Sequence, residues 1–160
     1  MRAADTLRRG DWLGLAGWLV LVAAVSAFGS MFRPGTWYEA LAKPSFNPPS
    51  WVFGPVWTLL YLFMALAAWM VWRRREMAGA RLGMALFLAQ LLCNGLWSWF
   101  FFGLQRIGLA LVDLVLLVLL LTATVVVFAR VRKAAAWLLA PYLAWSCYAL
   151  VLNAWLWRFN

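Results

Sequence analysis

Few residues in this chain can do chemistry, and they recur in a pattern. Gln90, Asn94, Trp97 and Phe101 fall at i, i+4, i+7 and i+11. On a helix turning about 100° per residue, that spacing puts two amides and two rings on one face. Tyr142, Trp145, Ala149 and Asn153 repeat the arrangement with Ser146 beside them, and Trp57 and Tyr61 stand one turn apart. Three segments thus each offer an aromatic ring with a hydrogen-bonding group close by. Such walls suit a flat, apolar ligand with a few polar edges. They equally suit a helical bundle knitted together by its own rings and amides. Asp113 is the only acid well inside an apolar stretch, with Thr124 on the same face. It reads either as a functional intramembrane carboxylate or as a structural group bonded to an indole N–H or to Asn94.

The chemistry excluded is broader. None of the 160 residues is histidine, which removes Ser-His-Asp and Cys-His machinery and His-ligated zinc or haem. Cys93 and Cys147 lie in apolar runs with no C-x-x-C spacing. No metal site and no conventional catalytic constellation is expected. A formal charge of +9 ordinarily suggests nucleic acid, but 67% of the residues are apolar and 12% charged, against about 45–50% and about 25% in a soluble domain. The natural solvent is therefore lipid. The basic residues, placed between apolar runs, read as topology signals.

The elements that must position these side chains are five apolar segments: residues 12–31, 51–72, 81–102, 107–129 and 135–157. Each has roughly the 20 residues needed to cross a bilayer as a helix, and the periodicity is helical throughout. The expected fold is all-α: a polytopic membrane protein, a five-helix bundle occupying residues 1–160 as one domain. Arg2, Arg8, Arg9, Arg73, Arg74, Arg75, Arg81, Arg130, Arg132 and Lys133 fall on one side, and Arg33, Lys43, Arg106 and Arg158 on the other. The positive-inside rule then predicts a cytoplasmic N-terminus and an external C-terminus, with a bacterial inner membrane as the expected location. Trp12, Trp37, Trp51, Trp72, Trp137, Trp155 and Trp157 lie near span ends, as a belt at headgroup level would. In the third span Ala85-x-x-x-Ala89, with Leu92 and Leu96, forms a small-residue face that permits close helix approach. It suits a dimer contact or packing within the chain.

One connection is longer than a linker requires. Residues 33–50 contain Pro34, Pro44, Pro48 and Pro49, together with Trp37, Tyr38 and Phe46. Prolines disfavour helix and reduce the loop's entropy, so it can hold one shape cheaply. It reads as a lid folded onto the helix ends, or as a stiff spacer bearing belt aromatics. Arg33 and Lys43 flank it and would offer a positive rim to an anionic ligand, or bind headgroups.

The run Trp37-Tyr38-x-x-Leu41-x-Lys43-Pro44-x-x-x-Pro48-Pro49-x-Trp51-Val52-Phe53-Gly54-Pro55-Val56-Trp57-Thr58-x-x-Tyr61 resembles the signature of the TspO/MBR family. These are the tryptophan-rich sensory proteins and the mitochondrial translocator protein or peripheral benzodiazepine receptor. Asn94-x-x-Trp97 with Phe101-Phe102-Gly103, and Pro141-Tyr142-x-x-Trp145 with Ala149-x-x-x-Asn153, agree in the same order. The resemblance implies a five-helix bundle, often a homodimer, with a ligand cavity closed by the loop after the first helix. It implies porphyrins, haem, sterols or benzodiazepine-type drugs as ligands, with no resident cofactor and no nucleic acid partner. It implies a role in tetrapyrrole sensing, transport or regulation, or alternatively light-dependent porphyrin breakdown using Trp57 and Trp145. By motif, Tyr38, Pro48, Trp57, Asn94, Trp145, Ala149 and Leu114 would line the cavity, with Trp97 on the same face as Asn94 and Trp37, Lys43 and Phe46 in the lid. Two positions depart: Phe46 stands where the family often has Trp, and the C-terminal sterol motif lacks its central Tyr, reading Leu152-Asn153-Ala154-Trp155-Leu156-Trp157-Arg158.

Overall fold

The computed structural model describes residues 9–160. In chain order the helices are α1 (Arg9–Ser30), a short α2 (Thr36–Ala40), α3 (Ser50–Trp72), α4 (Ala80–Ser98), α5 (Ile107–Val131) and α6 (Lys133–Phe159). The last turn of α4 widens into a π turn over Trp99–Gly103. All but α2 are long and apolar enough to cross a membrane, so the all-α, five-span architecture stands. Arg2 and Arg8, which enter the topology argument, lie outside the described residues.

The five long helices close a ring in the order α1, α3, α6, α5, α4 and back to α1. Chain direction alternates, so one end of the bundle carries the α3–α4 and α5–α6 turns. The other carries the long loop and the α4–α5 turn. The helices overrun the expected hydrophobic limits by up to three residues at most ends, because a helix continues past the hydrocarbon into the interface. The clearest case is the α5–α6 joint, where a single extended residue, Arg132, separates two helices.

Packing follows the small residues. Phe87 of α4 stacks on Phe128 of α5 at 6.1 Å. Gly83 makes room for that ring: a Cβ there would lie 3.0 Å from Phe128, which is wholly buried. Gly14 of α1 seats the Trp72 indole in the same way, and a Cβ at Gly95 would meet Val25 at 3.1 Å. α1 is otherwise peripheral, with Val22 its one fully buried apolar side chain. At its start Asp11 pairs with Arg73 at 3.4 Å, and its carbonyl accepts from Trp69 Nε1 at 2.7 Å. The Ala85 face of α4 points outward: Ala85 is exposed, Ala89 partly so, and Leu92 is 62% exposed. It is not used between the helices of one chain.

Replacing Gly83 by Val should destabilise the α4–α5 contact by about 1–3 kcal/mol, the range for overpacking a filled core. Gly17→Ala, with open space at its Cβ, should be neutral or gain up to about 1 kcal/mol in helix propensity. Thermal unfolding of both variants in one neutral detergent checks the pair.

Candidate functional site

Four interior side chains form one hydrogen-bonded chain across three helices. Tyr61 of α3 donates to Asn94 Oδ1 of α4 at 2.7 Å. Asn94 Nδ2 donates to the Tyr142 hydroxyl of α6 at 2.9 Å, and that hydroxyl donates to Gln90 Oε1 of α4 at 3.0 Å. Gln90 and Tyr142 are wholly buried and Asn94 nearly so. Gln90 Nε2 has no partner. Trp57 lies on this chain, its ring 5.3 Å from Tyr61 and 6.2 Å from Tyr142. Trp97 belongs to a second link, donating from Nε1 to Asn153 Oδ1 at 3.0 Å, while Asn153 Nδ2 donates to the Ile107 carbonyl.

The loop crosses the bundle end as a strap, seated on a second apolar cluster around Phe101, Leu152 and Leu156. The π turn supplies its seat. Trp37 meets Phe101 at 5.8 Å and Tyr38 meets Phe102 at 5.5 Å, while Phe101 stacks on Trp97 at 5.0 Å. Gly103 leaves room for these rings, since a Cβ there would meet Phe32 and Trp99 at 2.9 Å. Two residues of α6 and its end pin the strap. Asn160 accepts from Ala42 N–H at 2.9 Å and donates to the Ala42 carbonyl at 3.2 Å. The Tyr148 hydroxyl donates to the Phe46 carbonyl at 2.6 Å. Burial pushes the Tyr38 phenol above its ordinary pKa, against the opposing pull of its bond to Asn47.

The predicted residues therefore fall into three groups. Trp57 and Asn94 meet in the interior chain, and Leu114 and Ala149 pack in the same main core. Trp97, Trp37 and Tyr38 gather under the strap. Trp145 packs on the edge of the main core, against Phe53 at 5.9 Å and Tyr148 at 5.6 Å. It lines a recess of about 560 Å³ between α3 and α6, with Val56, Leu60, Ala144 and Tyr148. Phe46 is 44% exposed and lies against the Tyr148 ring at 6.5 Å. Pro48 is half-buried at the start of α3, its carbonyl accepting from Asn47 Nδ2.

Two expectations change. Asp113 bonds neither to Asn94 nor to an indole, because Asn94 is taken by the two tyrosines and Trp97 by Asn153. The acid is 7% exposed, sits beside the Cys93 thiol and has Oδ2 unpartnered. Thr124 shares its face but turns back on its own helix, donating to the Leu120 carbonyl. Lys43 is partly exposed and already makes contacts within the strap. Its ammonium donates to the Glu39 and Leu41 carbonyls and lies 4.7 Å over the Tyr38 ring, stapling the strap from within. Tyr148 and Asn160 went unnoticed in the sequence. A phenol on the exposed side of a helix and a polar residue just past one give no periodic signal.

A closed five-helix ring, an interior rich in indole, phenol and amide, and an aromatic strap across one end define an integral membrane protein of the helical-bundle class, with a covered end. The sequence profile of the TspO/MBR family matches residues 18–158, and the chain belongs to that family. It is 44% identical over 148 residues to the tryptophan-rich protein TspO of Chlorobaculum tepidum, covering 88% of this chain and 92% of that one. It is 39% identical over 156 residues to the human translocator protein, covering 93% and 91%. It is 37% identical over 143 residues to the tryptophan-rich sensory protein of Cereibacter sphaeroides, covering 89% of each.

Tyr142→Phe should strand the Asn94 donor and the Gln90 acceptor together. The expected loss is about 1–3 kcal/mol, toward the low end because amides in a membrane find other partners. Adding Gln90→Leu should cost less than the sum of the single changes, as unfolding midpoints of the four species would show.

Proposed function

We propose that the protein is a membrane receptor or carrier for flat hydrophobic ligands of the tetrapyrrole type, porphyrin or haem, serving tetrapyrrole sensing, transport or regulation. One observation carries the reading: an apolar recess between two spans includes two aromatic side chains, and one of these also holds the strap. Trp145 and Tyr148 line the recess, and Tyr148 also holds the strap at Phe46. The recess, about 560 Å³ and open on its outer side, matches the roughly 300–1,000 Å³ of small-molecule sites in volume alone. Indole faces match a planar π ligand. The names of the relatives, a sensory protein and a translocator, fit a role in detection or movement of a small molecule. The reading places the basic end of the bundle on the cytoplasmic face of a bacterial inner membrane.

A second reading, light-driven oxidation of the bound pigment by dioxygen, is favoured by one contact. Trp57, Tyr61 and Tyr142 form a series of oxidisable rings at 5.3 and 6.2 Å.

Purified protein titrated in the dark with protoporphyrin IX should show saturable tryptophan quenching. Trp145→Ala should weaken binding by about tenfold, the scale of one stacked aromatic. Quenching that is absent, or indifferent to Trp145, would remove the recess from the site. Illumination then separates the readings: stable pigment absorbance supports binding alone, whereas loss that requires Trp57 supports breakdown.

The outward Ala85 face supports association of two copies through α4. Ala85→Leu with Ala89→Leu should shift a dimer toward monomer in sedimentation equilibrium, and an unchanged mass would place the contact elsewhere.

A further inference from the structure

The end of the bundle away from the strap carries the densest charge. Arg73, Arg74 and Arg75 follow α3, Arg81 lies in the first turn of α4, and Arg130, Arg132 and Lys133 surround the one-residue break between α5 and α6. Arg74 Nη1 donates to the Val131 carbonyl at 3.4 Å, drawing the two turns into one surface. The acids there among the described residues are already engaged: Asp11 with Arg73 at 3.4 Å and Glu76 with Arg75 at 3.9 Å. The N-termini of α1, α4 and α6 point the same way, adding partial positive charge. Arg130, Arg132 and Lys133 are exposed and make no side-chain hydrogen bond or ion pair among the described residues. At the strap end the cations are used differently, Lys43 on the strap's own carbonyls and Arg33 on the Ser30 carbonyl.

We propose that the α5–α6 tip and the adjoining α3–α4 turn form a contact surface for the headgroups of anionic phospholipids. Cations without partners among the described residues stand where the helices leave the hydrocarbon, the level at which lipid phosphates lie. Apolar side chains border them, Trp137 at 76% and Leu82 at 58% exposed. A partner that joins an anion to a hydrocarbon tail matches both halves of this surface. A soluble polyanion matches one half.

The test is reconstitution in phosphatidylcholine with trace spin-labelled phosphatidylglycerol or phosphatidylcholine, reading the motionally restricted fraction by electron paramagnetic resonance. The expected result is a preference for phosphatidylglycerol that shrinks at high salt. Each cation near a charged surface changes affinity by up to roughly fivefold, so the variant Arg130→Gln, Arg132→Gln, Lys133→Gln should lose at least about threefold of the preference. Arg33→Gln with Arg158→Gln should leave it intact. Equal association of the two lipids with the unmutated protein would overturn the proposal without any variant. So would a preference that survives the triple change, or one that moves with the strap-end pair instead. Retention of a single-stranded oligonucleotide without any lipid preference would assign the surface to a soluble polyanion and overturn it as well.

Discussion

The Tyr142 hydroxyl is where the interior is decided. Within hydrocarbon no water completes a hydrogen bond, so each polar side chain must find another or face a solvent-filled space. Tyr142 accepts from Asn94 and donates to Gln90, and Asn94 accepts from Tyr61. Each bond is directional, so together they fix the rotation of α3, α4 and α6 about their own axes. Apolar packing alone would leave that rotation loosely set, because leucines on any face meet lipid and protein about equally well. With α3 rotated this way, Trp57 lies over Tyr61 and Val56 and Leu60 face the recess toward α6. The wall on which the ligand reading rests is therefore a consequence of the buried amides, although the amides themselves do not line it.

The strap obeys the same constraint at the membrane boundary. It has too little regular structure to pair its own backbone, so groups from distant parts of the chain do so. Asn160 matches both polar groups of Ala42, as a neighbouring strand would, and Tyr148 takes the Phe46 carbonyl. Lys43 folds inward onto two carbonyls. Pro44 is buried and needs no donor partner. The π turn matters because one extra residue in the last turn of α4 changes the direction of every ring after Trp99. It buries Phe101 and presents Phe102 to Tyr38.

Helical counting read the faces correctly but not what each face would meet. Gln90, Asn94 and Trp97 do point inward, and Tyr142 and Asn153 do the same from α6. A 100° wheel assigns a direction, however, and not a depth or a partner. It could not show that Asn94 would be enclosed by two tyrosines while Trp145, one turn from Tyr142, would face a groove. The five spans were legible because about 20 apolar residues in a row admit one structure in a bilayer. The strap's composition announced an ordered loop but not its anchors. Lys43 reads as a surface charge in sequence, and only the proximity of Glu39, Leu41 and Tyr38 turns it inward. Asp113 was legible as an exception, but its neighbour, the Cys93 thiol on α4, carries no motif that would have announced the pair.

α1 completes the ring on different terms from the other four helices. It buries one apolar side chain fully, Val22, whereas α3 buries seven residues. Its hold comes from a few localised contacts: Asp11 with Arg73, Gly14 under Trp72, the edge of Trp18 on Phe87 at 5.7 Å, and Val25 against Gly95. Displacing an element costs roughly what it buries, so α1 is the long helix that moves most cheaply. It is also the helix that leads directly into the strap. Tyr148 and Asn160 anchor the strap's far half to α6, and α1 anchors its near half. Opening the covered end by moving α1 would therefore break the contact of Ser26 with Tyr61, whereas the Asn94–Tyr142–Gln90 bonds lie wholly between α4 and α6.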